Sequence, residues 1–276
     1  MKRDGACTSL WQHSMPEYRS KTKTLPKQAF DVIIVGGGIT GLTTALQLQK
    51  AGKKCLLAEA HTIGFGTTGG TTAHLNTFMD TPYYRISENF GKEAAGQIAS
   101  GSLAAIDLIK TNIKQYSIDC GFEHTPGYIF AQNEEQNKEL EDIFHSTSKA
   151  GVDIGACDFI PVPVPFTKAL LIKDQAKFHP AHYIYALAEA FEDEGGMLIQ
   201  GCRVTAHEEK PEGLQVSTSL GTLTASNVIY ATHIPTGINL LQFYCAPYRS
   251  YAIAVKLTDG MYPVGLAYDL EDPYHY

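Results

Sequence analysis

The stretch "FDVIIVGGGITGLTTALQLQKAGKKCLLAEA", Phe30–Ala60, decides the fold. Val32, Ile33, Ile34 and Val35 form a continuous β-branched run, the pattern of a strand buried on both faces in a parallel sheet. Residues 39–51 carry a helical pattern, which Gly52 ends. "KKCLLAEA" supplies a second strand, so the stretch is one βαβ unit. Gly36, Gly38 and Gly41 have the GxGxxG spacing at the strand-to-helix turn. Gly36 permits the tight turn, Gly38 lets backbone approach a pyrophosphate, and Gly41 lets the helix sit close to the strand. The helix N-terminus offers unpaired N–H groups and the positive end of its dipole to a diphosphate. Glu59 follows Gly41 by 18 residues and is placed to accept from ribose hydroxyls. An acid there disfavours a 2′-phosphate, which argues against NADP.

These features give a dinucleotide site but leave NAD and FAD open. The next segment separates them. "HTIGFGTTGGTTAHLNT" (61–77) is small, polar and Gly-rich, a loop that must pass close to something. A chain binding NAD alone has no need of it. A chain binding extended FAD returns along the cofactor there, and "GTTGGTTAHL" (66–75) offers hydroxyls, backbone N–H groups and no bulky side chains. "SNVIYATHIP" (226–235) reads as a buried strand ending at Ala231 and Thr232.

The remaining pattern predicts one or two helices over 85–116, a strand over 127–132 and an amphipathic helix over 133–151. "FIPVPVPF" (159–166) has too many prolines for a central strand. A helix begins at Pro180, which suits a first-turn position. About four short strands follow between residues 197 and 233, and "SYAIAVKL" (250–257) reads as another. The polar arm 1–29 holds the only Trp of the chain, Trp11, and is expected to dock. The fold class expected is α/β (α+β): a Rossmann-like layer from 30–117 and 179–238, interleaved with a mainly antiparallel substrate layer from 118–178 and 239–276.

Composition narrows the partners. A formal net charge of −7 and the lack of a basic tract argue against nucleic acid. The six cysteines are scattered, without the spacing of a metal site. No secretory leader and no membrane-length apolar run is read, so a soluble cytoplasmic protein is expected.

The motifs "DVIIVGGGITGLTTALQL", "LLAEA", "GTTGGTTAHL", "KFHPAHYIYALAEAFEDEGG", "GCRVTAHEE" and "NVIYATHIP" resemble the D-amino-acid oxidase/glycine oxidase superfamily of FAD-dependent oxidoreductases. "SLWQHS" and "TTGGTTAHL" resemble a subgroup whose longer members carry a C-terminal Rieske domain. The resemblance implies FAD as cofactor and a small amine or amino acid as substrate. It implies that Gly36, Gly38, Ile39 and Gly41 cradle the pyrophosphate, and that Glu59, followed by Ala60, binds the adenosine ribose. Thr67 and Thr68 would face phosphate. Thr71, Thr72, Ala73, His74 and Leu75 would run toward the isoalloxazine ring. Val204 would hold the adenine edge through its backbone, and Ala231 and Thr232 would return beside the adenosine half. Arg249 and Tyr251 are candidates to clamp an anionic substrate, with His275 in a tail segment that resembles one approaching the flavin. A Gly-rich segment that closes over the flavin in this superfamily is not found before Tyr276. The chain is therefore expected to be the N-terminal part of a longer protein, with a redox partner or Rieske-like portion beyond it, or else an inactive FAD-binding remnant.

Overall fold

The computed structural model describes residues 7–234, 240, 244 and 250–276. The chain divides into two compact units. The first comprises Met1–Thr72, Asn112–Cys120 and His179–Tyr251; the second comprises Ala73–Thr111, Gly121–Phe178 and Ala252–Tyr276. Residues 73–111 thus group with the second unit, not with the dinucleotide layer where the sequence reading put them. Their buried side chains Tyr83, Ile86, Ala95 and Ala99 pack with Ile129, Leu170 and Ile172 of the second unit's sheet.

The first unit is built on a six-stranded sheet in the order β7-β2-β1-β10-β9-β8. Its strands are β1 (Ala29–Val35), β2 (Cys55–Ala58), β7 (Met197–Ile199), β8 (Val204–Lys210), β9 (Gly213–Thr218) and β10 (Gly221–Tyr230). β1 runs parallel to both β2 and β10, and β2 runs parallel to β7. β8, β9 and β10 form an antiparallel meander. Ile33, Ile34, Leu56 and Leu57 are fully buried, each worth about 2 kcal/mol in water removed from its side chain. Helix α2 (Ile39–Lys50) packs against α7 (Pro180–Asp193). Gly52, with φ +80°, closes α2 by donating to Gln49 O at 2.9 Å. His179 caps α7: its side chain accepts from His182 N, with Pro180 in the first turn. The short helix α1 (Leu10–His13) belongs to the same unit.

The second unit holds a sheet in the order β11-β4-β6-β3, with β5 also against β6. These are β3 (His74–Leu75), β4 (Glu123–Ala131), β5 (Ile154–Cys157), β6 (Lys168–Lys177) and β11 (Leu266–Tyr268). All pairings are antiparallel except β11 with β4. Helices α4 (Tyr83–Phe90) and α6 (Glu134–Lys149) contribute to its core through Ile86, Leu140 and Ile143. The boundary between the units falls inside α5 (Lys92–Tyr116).

Two further sequence expectations need correction. The 61–77 loop is not wholly irregular: Thr67–Gly70 forms one helical turn, α3, and His74–Leu75 pairs with Lys177 and Ala176. Residues 250–257 form no strand. Tyr251 and Ile253 are each 90% exposed. Alternation gives a segment two faces, but a ladder also needs neighbouring N–H and C=O groups. Among the described residues none pairs with this segment, and the strand near the chain end is Leu266–Tyr268 instead. Among the described residues no helix is long and apolar enough to cross a membrane.

Candidate functional site

The strand–turn–helix at residues 35–42 is tight because its four glycines lack a Cβ. Gly36 has φ +112°, and a Cβ there would stand 2.5 Å from Ala231 O. A Cβ on Gly41 would overlap the Gly36 carbonyl. A Cβ on Gly38 would come within 2.9 Å of Thr68 Oγ1. The turn is pinned to the sheet on both sides: Gly36 N donates to Ala58 O at 2.9 Å, and Ala231 N donates to Val35 O at 2.8 Å. Gly38 occupies the N-cap of α2 and has no side chain with which to cap it.

Glu59 stands at the end of β2 with its carboxylate against the same turn. Oε2 accepts from Gly37 N at 2.6 Å, and Oε1 accepts from His61 N at 2.7 Å. Each oxygen keeps a second lone pair for another donor. Ala60 lies in the bend that follows. The Glu59 backbone bonds to Ile199 O and accepts from Cys202 N at 2.8 Å, which brings the segment leading to Val204 beside it. Val204 is buried at the start of β8.

Thr68 joins the loop to the helix: its Oγ1 accepts from Ile39 N at 3.1 Å. Gly64 N donates to Gly37 O at 3.0 Å, a second tie between loop and turn. Thr67 lies beside Thr68 in α3, and Thr71 follows in extended backbone, with Thr72 next to it. Thr232 continues from Ala231 and donates its hydroxyl to Ile234 O at 2.8 Å. Gly36, Gly38, Ile39, Gly41, Glu59, Thr68 and Ala231 are thus brought together in the first unit.

The other expected residues lie elsewhere. Ala73, His74 and Leu75 belong to the second unit. Ala73 adopts φ +65°, and His74 Nδ1 is hydrogen-bonded to the Tyr268 hydroxyl at 2.8 Å. Asn76 Nδ2 donates to the same hydroxyl at 3.3 Å. Burial lowers the His74 pKa from its ordinary 6.5, and the Lys177 ammonium adds to the shift; the ring is neutral at pH 7. Burial also pushes the Tyr268 phenol up. His275 is held by Asp269: Nδ1 lies 2.7 Å from Oδ2, and its backbone N donates to Oδ1 at 2.8 Å. Tyr251 is exposed, and Arg249 lies outside the described residues. Tyr268 and Asp269 escaped the sequence reading because "GLAYDL" is too short to show a period, and Asn76 because it lies in a loop read only for its small residues. Trp11 and Gln12 also meet the loop; the lone Trp predicts that the arm docks, not where.

The family pattern of the FAD dependent oxidoreductases designated DAO matches residues 31–276. The chain belongs to the DAO family.

Among its DAO relatives is YhfW of Bacillus subtilis (strain 168), named for a Rieske 2Fe-2S iron–sulfur centre. It is 32% identical over 248 residues, which are 88% of this chain and 48% of that protein. Gamma-glutamylputrescine oxidoreductase of Escherichia coli (strain K12) is 31% identical over 208 residues, 73% of this chain and 48% of that protein. The chain spans about half the length of these curated relatives. The crystal structure of glycine oxidase from Geobacillus kaustophilus superposes with a TM-score of 0.59 at 19% identity, covering 74% of this chain and 55% of that one. That likeness carries the fold.

FAD is the cofactor of the DAO family, and the first unit fits it on its own terms. The glycines let the turn close on Ala231, Thr68 and its own backbone, α2 begins there without a side-chain cap, and Glu59 keeps acceptor capacity. Gly36, Gly38, Ile39 and Gly41 would hold the diphosphate, and Glu59 the ribose.

Proposed function

We propose that this chain supplies the FAD-binding part of an oxidoreductase that oxidises a small amino-acid-like or amine-like substrate. The observation that carries the reading is the Gly36–Gly41 turn closed against Glu59 and Thr68 in a member of the DAO family. The names of two relatives and one solved structure support the substrate class: gamma-glutamylputrescine oxidoreductase, glycine oxidase and L-proline dehydrogenase. FAD, when bound, accepts the hydride removed from the donor carbon.

The chain's own residues bind and orient. The α2 N-terminus offsets the diphosphate charge. Glu59 accepts from ribose hydroxyls, and Val204, Ala60, Ala231 and Thr232 line the adenosine side. Thr67, Thr68, Thr71 and Thr72 supply hydroxyls along the cofactor, and Ala73, His74 and Leu75 lead toward the ring. A neutral His74, bonded to Tyr268, presents no fixed positive charge. Arg249 and Tyr251 are candidates to clamp an anionic substrate, and His275 lies in a segment that resembles one approaching the flavin.

The test is reconstitution. The purified chain is incubated with FAD, freed of excess and examined for flavin absorbance, then mixed anaerobically with glycine, proline and short diamines. Retained flavin that bleaches with one of these supports the proposal. Retained flavin that none of them bleaches favours a second reading, a flavin–Rieske electron-transfer protein, which the YhfW relative motivates. A native protein from cells that lacks the spectrum of a 2Fe-2S centre would count against that second reading. A chain that retains no flavin sinks both.

A further inference from the structure

The loop between Gly64 and Thr71 is fixed from outside by the N-terminal arm. Gln12 donates from Nε2 to Gly64 O at 3.3 Å and Phe65 O at 3.4 Å, at the start of the loop. Trp11 Nε1 donates to Thr71 O at 2.7 Å, at its end. Between these anchors lie Thr67 and Thr68, and Thr68 accepts from the first turn of α2. Gly69 has the same connection: a Cβ there would stand 2.6 Å from Gln12 Nε2. The loop thus leaves room for the arm as well as for the glycine turn.

The arm is itself held. Ser9 and Gln12 form a reciprocal capping box around α1. The Trp11 ring packs edge-on to His179 at 4.8 Å. His179 Nδ1 accepts from His182 N, so a neutral ring carries its proton on Nε2 and donates to Ser14 Oγ at 3.2 Å. Ser14 in turn donates to Trp11 O at 3.1 Å. Further along, Tyr18 donates to Glu192 at 2.6 Å, Lys21 N donates to the same carboxylate at 2.7 Å, and Gln200 donates to Tyr18 O at 2.9 Å. These contacts tie the arm to α7 and to the segment after β7, within the first unit.

We propose that Trp11 and Gln12 are positioning residues for the cofactor: the arm is a strap that holds residues 64–71 so that Thr68 meets α2 and the loop backbone faces the diphosphate. The inference rests on the FAD reading above. The strap fixes the loop before the ligand arrives, so binding loses less loop entropy. By reciprocity, bound FAD must hold the strap more firmly by the same factor.

The test is FAD affinity of the full chain, read by quenching of flavin fluorescence. Trp11→Phe keeps the ring and loses the N–H. Gln12→Glu keeps the capping acceptor for Ser9 N and loses the donor to Gly64. Each is expected to raise the Kd for FAD about fivefold, the worth of one hydrogen bond. In the wild-type chain, FAD is expected to slow hydrogen exchange of the α1 amides by a similar factor. Trp11, as the sole Trp, reports arm docking by its emission in the FAD-free chain. Wild-type chain that binds FAD, with both variants binding equally well, overturns the strap and leaves the FAD reading standing. Wild-type chain that binds no FAD overturns both. If either variant fails to fold, the exchange measurement on wild type decides: α1 exchange that FAD leaves unchanged refutes the strap.

Discussion

The glycine turn at residues 36–41 and the His74–Asn76–Tyr268 cluster are both closely bonded, yet they are made from different kinds of contact. The turn is mainly backbone against backbone, from residues adjacent in sequence plus Ala231, with the Glu59 carboxylate accepting from Gly37 N. What it requires is the absence of atoms. The cluster is side chain against side chain, and its hydrogen bonds join residues 192 and 194 positions apart. What it requires is the presence of particular atoms in a buried place. The turn therefore tolerates no addition, whereas the cluster tolerates replacements that keep its polar atoms satisfied.

Gly41→Ala is the hardest blow to that comparison. The new methyl overlaps the Gly36 carbonyl, which is backbone and cannot rotate away. A loss of roughly 3 kcal/mol is expected from overpacking, measured as the urea midpoint of the chain. Unchanged stability would mean that the turn is looser than its contacts imply.

Glu59→Gln leaves the turn's packing alone and changes its chemistry. The amide nitrogen cannot accept, so one of Gly37 N and His61 N loses its partner and one acceptor for ribose disappears. FAD affinity is expected to fall about tenfold, in line with a hydrogen bond to a charged group, as read by titration. Equal affinity would remove Glu59 from the cofactor site.

The cluster is tested by pH. His74 and His179 both have pKa values lowered by burial. A group whose folded pKa is depressed in this way binds protons more readily when unfolded. Stability is therefore full above the ordinary pKa of 6.5 and falls as pH drops toward the depressed folded values. The melting temperature is expected to decline as pH falls below about 6.5. His74→Gln, which keeps hydrogen-bonding atoms for Tyr268, should make that decline shallower, with His179 carrying the rest. An identical slope in the variant would show that His74 titrates alike in the folded and unfolded states.

The smallest effect belongs to a region of neither kind. Ile253 is exposed and unpaired among the described residues. Ile253→Thr is expected to change the melting free energy by less than about 0.5 kcal/mol. A larger loss would show that the 250–257 segment is covered in solution.

What was legible in the sequence follows the same division. β1, α2, β2 and the position of Glu59 could be read because a buried parallel strand is a run of β-branched residues and a turn without Cβ atoms is a run of glycines. The docking of the arm was legible in outline from its one Trp, but its partners were not, since backbone carbonyls at Gly64 and Thr71 leave no mark on sequence. Residues 250–257 misled because alternation describes a face, while a strand also needs an edge to join.

Sequence alone determined the βαβ unit, the dinucleotide turn and the acid beside it, because each depends on residues that are near neighbours or on steric absence. Tertiary structure alone decided that Ala73–Thr111 packs with the second sheet, that Thr68 bonds to the start of α2, that Asp269 holds His275 and that Tyr268 meets His74. Those contacts join segments whose separation the chain can close in many ways. Only the burial of a common core selects which of them meet.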